Sequence, residues 1–317
     1  MPTLRAACAV CLLLAGLPGA SRAQEPASEI PDAGPVVIET QSDRSRRMTV
    51  PVTIEGQGPF RFLVDTGAQA TVVTPRVTTT LGLLPTGRAI LIAMASRTPV
   101  ETVTLDGLEF AGRRFGNLTA PLLRDRDIGA DGIIGLDSLQ DLRIVIDFRE
   151  DTLSLSDSPR GTDGYEIVVR ARRKFGQMII TDATVDGVRT AVVIDTGSWH
   201  SIGNDALRRR LRGRRSETVT AHDVTGAELK SDLAVVDALR IGEMGLSGVP
   251  VGFSDSPAFA ALGLATKPAL ILGLGNLRPF NRVAIDFASR KILFDVSKAD
   301  EPSRLDALFN RLRIGTP

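Results

Sequence analysis

The chain has 317 residues, with 38 Lys and Arg against 37 Asp and Glu, 43% hydrophobic residues and only 4% aromatic ones. That is enough for one large domain or two ordinary ones, and too apolar for a disordered or collagen-like polymer. Near-zero net charge removes the bulk electrostatic case for nucleic acid as a partner, and the shortage of aromatics removes the stacking case.

The first feature in chain order is Arg5, then an apolar run from Ala6 to Leu17, the breakers Pro18 and Gly19, and the small-x-small ending Ser21-Arg22-Ala23. That is the anatomy of a secretory signal peptide over residues 1–23, with an apolar part too short for a membrane span. Both cysteines, Cys8 and Cys11, fall inside it. The mature chain is therefore expected to have no disulfide, thiol nucleophile or thiolate ligand. With only two histidines, His200 and His222, and no cysteine to help, no metal cluster is expected. The mature protein should be exported, periplasmic or secreted, without a stable membrane span. Residues 24–34 read as a flexible N-terminal segment.

From Val36 the text turns β-like, with short runs of Val, Ile, Thr and Phe punctuated by Gly, Pro and Asp. Strands are expected over Met48–Ile54, Phe60–Val64, Thr71–Thr74, Arg143–Phe148 and Thr152–Ser156. In the second half they are expected over Gln177–Val185, Thr190–Ile194, Asp232–Ile241, Arg282–Phe287 and Lys291–Val296. Helical text is confined to Asn204–Leu211, Pro257–Leu264 and Ser303–Leu312. The arginine run over residues 208–215 reads as a solvated helix end and loop.

An internal repeat organises these elements. Pro59-Phe60-Arg61-Phe62-Leu63-Val64-Asp65-Thr66-Gly67-Ala68 is answered by Thr190-Ala191-Val192-Val193-Ile194-Asp195-Thr196-Gly197-Ser198. Each half closes on a second shared block, Ile133-Ile134-Gly135-Leu136 and Ile271-Leu272-Gly273-Leu274. The chain thus divides into lobes over 35–156 and 165–298, a polar linker over 157–164, and a C-terminal tail over 299–317. In each copy an apolar strand delivers an aspartate into a tight Thr-Gly turn, which aims the carboxylate out of the strand end. Two lobes facing each other would bring the carboxylates together. Such a pair holds one shared proton, so one member is a base toward water and the other an acid toward a carbonyl oxygen.

These paired motifs resemble those of the aspartic peptidases, the pepsin and retropepsin superfamily, and most closely exported bacterial retropepsin-like proteins with two fused lobes. The resemblance implies an all-β fold of two pseudo-symmetric β-barrel lobes with a cleft between them and few short helices. It implies an endopeptidase in which Asp65 and Asp195 activate one water. Thr66, Gly67, Ala68, Thr196, Gly197 and Ser198 would support the loops, with the Ser198 hydroxyl backing its neighbouring aspartate. Ile134, Gly135, Leu272 and Gly273 would pack against them. By position a flap falls over residues 89–103 around Met94, Ala95 and Ser96, without the tyrosine of pepsins. Trp199, His222 and Gly226 are further flap or cleft candidates. The partner is an extended peptide or protein segment, cut by a monomer on the acid side of neutrality. A catalytically silent peptide binder of the same fold is the alternative. A glycosidase does not explain two identical Asp-Thr-Gly turns, and coincidental turns do not explain the repeated closing blocks.

Overall fold

The structure, a computed structural model, describes residues 13–15, 36–42, 47–140, 142–157, 164–165, 167–174, 177–211 and 215–296. The expected flexible segment 24–34, the helical tail 299–317, most of the leader and most of the linker lie outside the described residues. Leu13–Ala15, inside the expected leader, pairs antiparallel with Gly87–Ile92.

The described chain is mostly strands, arranged as two lobes of like plan joined by a shared sheet. Each lobe carries a hairpin ahead of its aspartate whose two-residue turn takes positive φ at both positions, Glu55-Gly56 in the first and Asp186-Gly187 in the second. That conformation matches the right-handed twist of the flanking strands, and a glycine at its second position carries no steric cost. In lobe one, Met48–Ile54 pairs antiparallel with Gln57–Val64, which runs on into Asp65. Gly132–Ile134 then lies parallel to the end of that strand. Lobe two repeats this with Gln177–Ile180 antiparallel and Ala269–Gly273 parallel to Ala191–Asp195. The parallel partner is buried at every position in both lobes, so the strand carrying the aspartate emerges from the middle of an apolar sheet.

A six-stranded sheet joins the lobes. At its centre Arg143–Asp147 pairs antiparallel with Arg282–Asp286, Val145 standing opposite Ala284. Tyr165 lies between the guanidinium groups of Arg143 and Arg282, 5.5 and 5.2 Å from its ring centre. Asp147 and Asp286 cap the turns that follow their strands, accepting from the amides of Arg149 and Glu150 and from that of Ser289.

Two differences from the sequence reading are local. The single strand expected over Gln177–Val185 is two, Gln177–Ile180 and Ala183–Val185, because the chain turns a corner at Thr181-Asp182 to change pairing partners. Short helices at Pro75–Leu81, Asp125–Ile128 and Leu136–Leu139 were not anticipated. The first is rich in β-branched Thr, and its boundaries come from Pro75 at the start and Gly82 in the left-handed region at the end. Among the described residues no helix is long and apolar enough to cross a membrane.

Candidate active site

Asp65 and Asp195 are both fully buried, and their carboxyls lie within hydrogen-bonding reach of each other between the lobes. The Thr-Gly turns do two jobs. Their amides hold one oxygen of each carboxyl: Gly67 N–H and Ala68 N–H donate to Asp65 Oδ1 at 2.7 and 3.1 Å, and Gly197 N–H donates to Asp195 Oδ1 at 2.9 Å. Their threonines cross between lobes. Thr66 Oγ1 donates to the Ile194 carbonyl (2.9 Å) and accepts from Thr196 N–H (3.2 Å). Thr196 Oγ1 donates to the Val64 carbonyl (2.8 Å) and accepts from Thr66 N–H (3.0 Å). Four buried, reciprocal bonds therefore set the spacing of the two aspartates.

Gly197 is required by contact. A Cβ there would meet the Asp65 carboxyl at under 3 Å, closer than real Cβ atoms come. Gly197→Ala is expected to cost about 1–3 kcal/mol in a denaturant titration. Gly245→Ala, where a Cβ meets nothing within 4 Å, should stay within about 0.5 kcal/mol. A Cβ added at Gly135 or at Gly273 would meet the backbone of Ala70 or of His200 at under 3 Å, so both positions are confined to glycine by close backbone approach. Beside them stands a second symmetric bracket that the sequence reading passed over. Thr71 Oγ1 donates to Asp137 Oδ1 (2.7 Å) and accepts from Gly135 N–H (3.2 Å). Ser201 Oγ donates to Asn276 Oδ1 (2.5 Å) and accepts from Gly273 N–H (3.0 Å). Thr71 and Ser201 stand at the same offset after each aspartate, which is the signal that would have found them.

The electrostatics follow from burial. Desolvation raises the Asp65 pKa to about 6, against the opposing pull of the Asp195 contact, the Gly67 and Ala68 amides and the Arg47 charge. Desolvation and then the charge of Asp65 push Asp195 well above the ordinary carboxylate range. The Oδ2 atoms of both have no protein donor. One proton shared between the carboxyls would satisfy both atoms.

The remaining candidates separate. The Ser198 hydroxyl does not back Asp195 but donates to the His200 carbonyl (2.9 Å), and the support comes from the Ser198 backbone amide. The reason is local geometry, since the turn points the hydroxyl along the chain. Trp199 packs on Gly275 and under the Arg278 guanidinium, 5.6 Å away, instead of over the carboxyls. His222 is exposed on its hairpin. Of the arginine run, residues 212–214 lie outside the described residues, and Arg208 pairs with Asp232.

Ala95 and Ser96 meet the Asp223–Thr225 turn of the other lobe, next to Gly226. The hairpin of Gly87–Ile92 and Arg97–Leu105 ends in a tip at residues 93–96, and that of Glu217–His222 and Glu228–Ile241 ends at residues 223–227. Each tip inserts into the opposite lobe. Met94 is buried among Ile179, Val193, Phe259 and Ile271, and Val224 among Leu63, Leu123, Ile128 and Ile133. Asp223, missed by the sequence reading as an individual residue, ties the crossing. Its Oδ2 accepts from Ala95 N–H (3.0 Å) and Ser96 Oγ (2.8 Å), and its Oδ1 from the amides of Thr225 (2.8 Å) and Ala227 (3.1 Å). Gly226 lies against Arg124 and Asp127 of lobe one.

Two residues beneath this roof were also unforeseen. Arg47 is buried and donates to the Ile128 carbonyl, and Gln177 is buried and donates from Nε2 to the Gly67 carbonyl at 2.7 Å. Thr49 and Ile179 pair with the residues two places before each aspartate. Arg47 and Gln177, each two places earlier again, are therefore counterparts across the repeat.

The family model described as aspartyl protease matches residues 50–138 and 181–275, one region in each lobe. No curated protein matches the chain.

Proposed function

The chain belongs to the aspartyl protease family, and from that membership we propose that it is an endopeptidase whose catalytic pair is Asp65 and Asp195. The observation that carries the reading is the pair itself: two buried carboxyls in contact, held by turn amides and by the crossed threonines. The ionised member, Asp65, takes a proton from water as its oxygen attacks the peptide carbonyl carbon. Asp195 gives its proton to the carbonyl oxygen, and a tetrahedral diol results. In the collapse Asp65 gives its proton to the amide nitrogen, a hydroxyl of the diol returns a proton to Asp195 and the C–N bond breaks, leaving amine, acid and a singly protonated pair. No metal or organic cofactor enters any of these steps. The substrate is an extended segment lying as an added strand between the floor and the two hairpins. Both aspartates come from one chain, so a monomer suffices, and the leader expected over residues 1–23 would carry it out of the cytoplasm.

The test is cleavage of a diverse peptide mixture, read by mass spectrometry across pH, beside Asp65→Asn and Asp195→Asn. Cutting by the wild type and silence of both variants is the expected result, the loss being roughly a thousandfold or more. Variants that cut as well as the parent would overturn the assignment. Peptide binding without cutting would favour a silent binder. The rate should follow a bell. Its acid limb lies near pH 6, where Asp65 ionises, and its alkaline limb follows loss of the proton that Asp195 holds. Burial under the hairpins thus moves the expected optimum from the acid side toward neutrality.

A further inference from the structure

Gln177 reaches from lobe two into the Asp-Thr-Gly turn of lobe one. The residue is 1% exposed, and its carboxamide nitrogen donates to the Gly67 carbonyl at 2.7 Å. A carbonyl can only accept, so the orientation of the carboxamide is settled: nitrogen toward Gly67, oxygen away from it. That oxygen, Oε1, is buried and has no hydrogen-bond donor among the described residues. A buried amide oxygen left unpaired is costly and uncommon in a folded protein. Gly67 links this group directly to the dyad, since its N–H holds Asp65 Oδ1 at 2.7 Å while its carbonyl is held by Gln177. The counterpart position in lobe one is Arg47, whose guanidinium only donates. The repeat is therefore broken at one point beside the catalytic pair, with a donor on one side and an unfilled acceptor on the other.

We propose that Gln177 is a substrate-binding residue, its Oε1 accepting a main-chain N–H of the extended peptide on the lobe-two side of the scissile bond. The carboxamide uses up the carbonyl of Gly67 and offers its own oxygen in exchange, so the acceptor is moved from the turn to a side chain of the other lobe. Nothing in this depends on the side chains of the substrate. An extended strand offers N–H groups at regular intervals along each edge, and only one of them can meet a single fixed oxygen. Gln177 accordingly sets the register in which a peptide lies across the two aspartates. The same side chain positions Asp65 indirectly, because the bond from Nε2 holds Gly67 in place.

This inference rests on the peptidase reading above, and its test separates the two. A peptide that the wild type cuts is titrated calorimetrically into Asp195→Asn, and into Asp195→Asn carrying Gln177→Met. Each main-chain N–H near the cut site is replaced in turn by an ester oxygen, which cannot donate. With Gln177 present, one ester position is expected to weaken binding by about tenfold more than in the Gln177→Met background, and the remaining positions should cost the same in both. A residue that only supports the fold would lower affinity evenly and leave no position singled out. Ester costs independent of Gln177 at every position therefore overturn the proposal. Should Gln177→Met fail to fold, Gln177→Asn withdraws the oxygen by one methylene and is read in the same cycle. A wild-type chain that cuts no peptide at any pH defeats the peptidase reading and this inference with it. A chain that cuts, with a flat cycle, defeats only this inference.

Discussion

Asp195→Asn is expected to abolish peptide cleavage while raising the melting temperature at neutral pH. The two effects have one cause. In the unfolded chain each carboxyl ionises near 3.8, whereas in the fold burial lifts Asp65 to about 6 and Asp195 further still. Below about pH 4 both states hold their protons and the pair costs nothing. As the pH rises through the folded values, the unfolded chain ionises freely and the folded one resists, so stability is lost. A rise of about two units in Asp65 corresponds to about 3 kcal/mol at pH 7. Asparagine has no proton to lose, so the cost of keeping Asp195 neutral while the unfolded chain ionises is removed, and its Nδ2 can donate to the Asp65 oxygen that lacks a protein donor. The expected shift is roughly 5–10 °C at pH 7, shrinking toward zero below pH 4. Calorimetry across that range checks it. A variant no more stable than the parent at pH 7 would mean that the carboxyls are not forced together.

The second large effect lies in the roof. Asp223→Ala is expected to uncouple the two hairpin tips, because one carboxylate oxygen carries both the Ala95 and Ser96 contacts between lobes. Two hydrogen bonds to a charged acceptor are worth about 3 kcal/mol together, a shift of roughly a hundredfold in the ratio of open to closed tips. Hydrogen exchange should therefore accelerate by about that factor in peptides covering residues 87–105 and 217–241, with the interlobe sheet unchanged. Since both aspartates are wholly enclosed, this opening step precedes any entry of a peptide to them. Protection unaltered by the substitution would show that burial of Met94 and Val224 holds the crossing without Asp223.

Much of the site was legible before the fold was known. The two Asp-Thr-Gly turns could be read because each ends a continuous apolar strand and is followed by its own Gly135 or Gly273 block. The composition of those segments is dictated by burial on both faces, which leaves a plain mark. The hairpin around Met94 was legible only as a position in the repeat. Its burial in the other lobe was not, since nothing near residue 94 announces Phe259 or Ile271. Gln177 and Arg47 were invisible for the same reason. Each reads as an ordinary polar residue at or just before the start of a strand, and its importance comes from a partner distant in the chain. Ser198 shows the converse error: a residue type that fits a supporting role, turned elsewhere by the backbone of its own loop.

What the sequence determined by itself is the two-lobed β plan, the pair of aspartates and the turns that carry them. Those depend on local patterns of apolar burial and on conformations that only certain residues allow. What only the tertiary structure decided is how the lobes meet: the crossed threonines, the reciprocal insertion of Met94 and Val224, the Asp223 tie and the reach of Gln177 to Gly67. These contacts join residues far apart in the chain, and their strength comes from excluding water between surfaces that exist only once both lobes have folded.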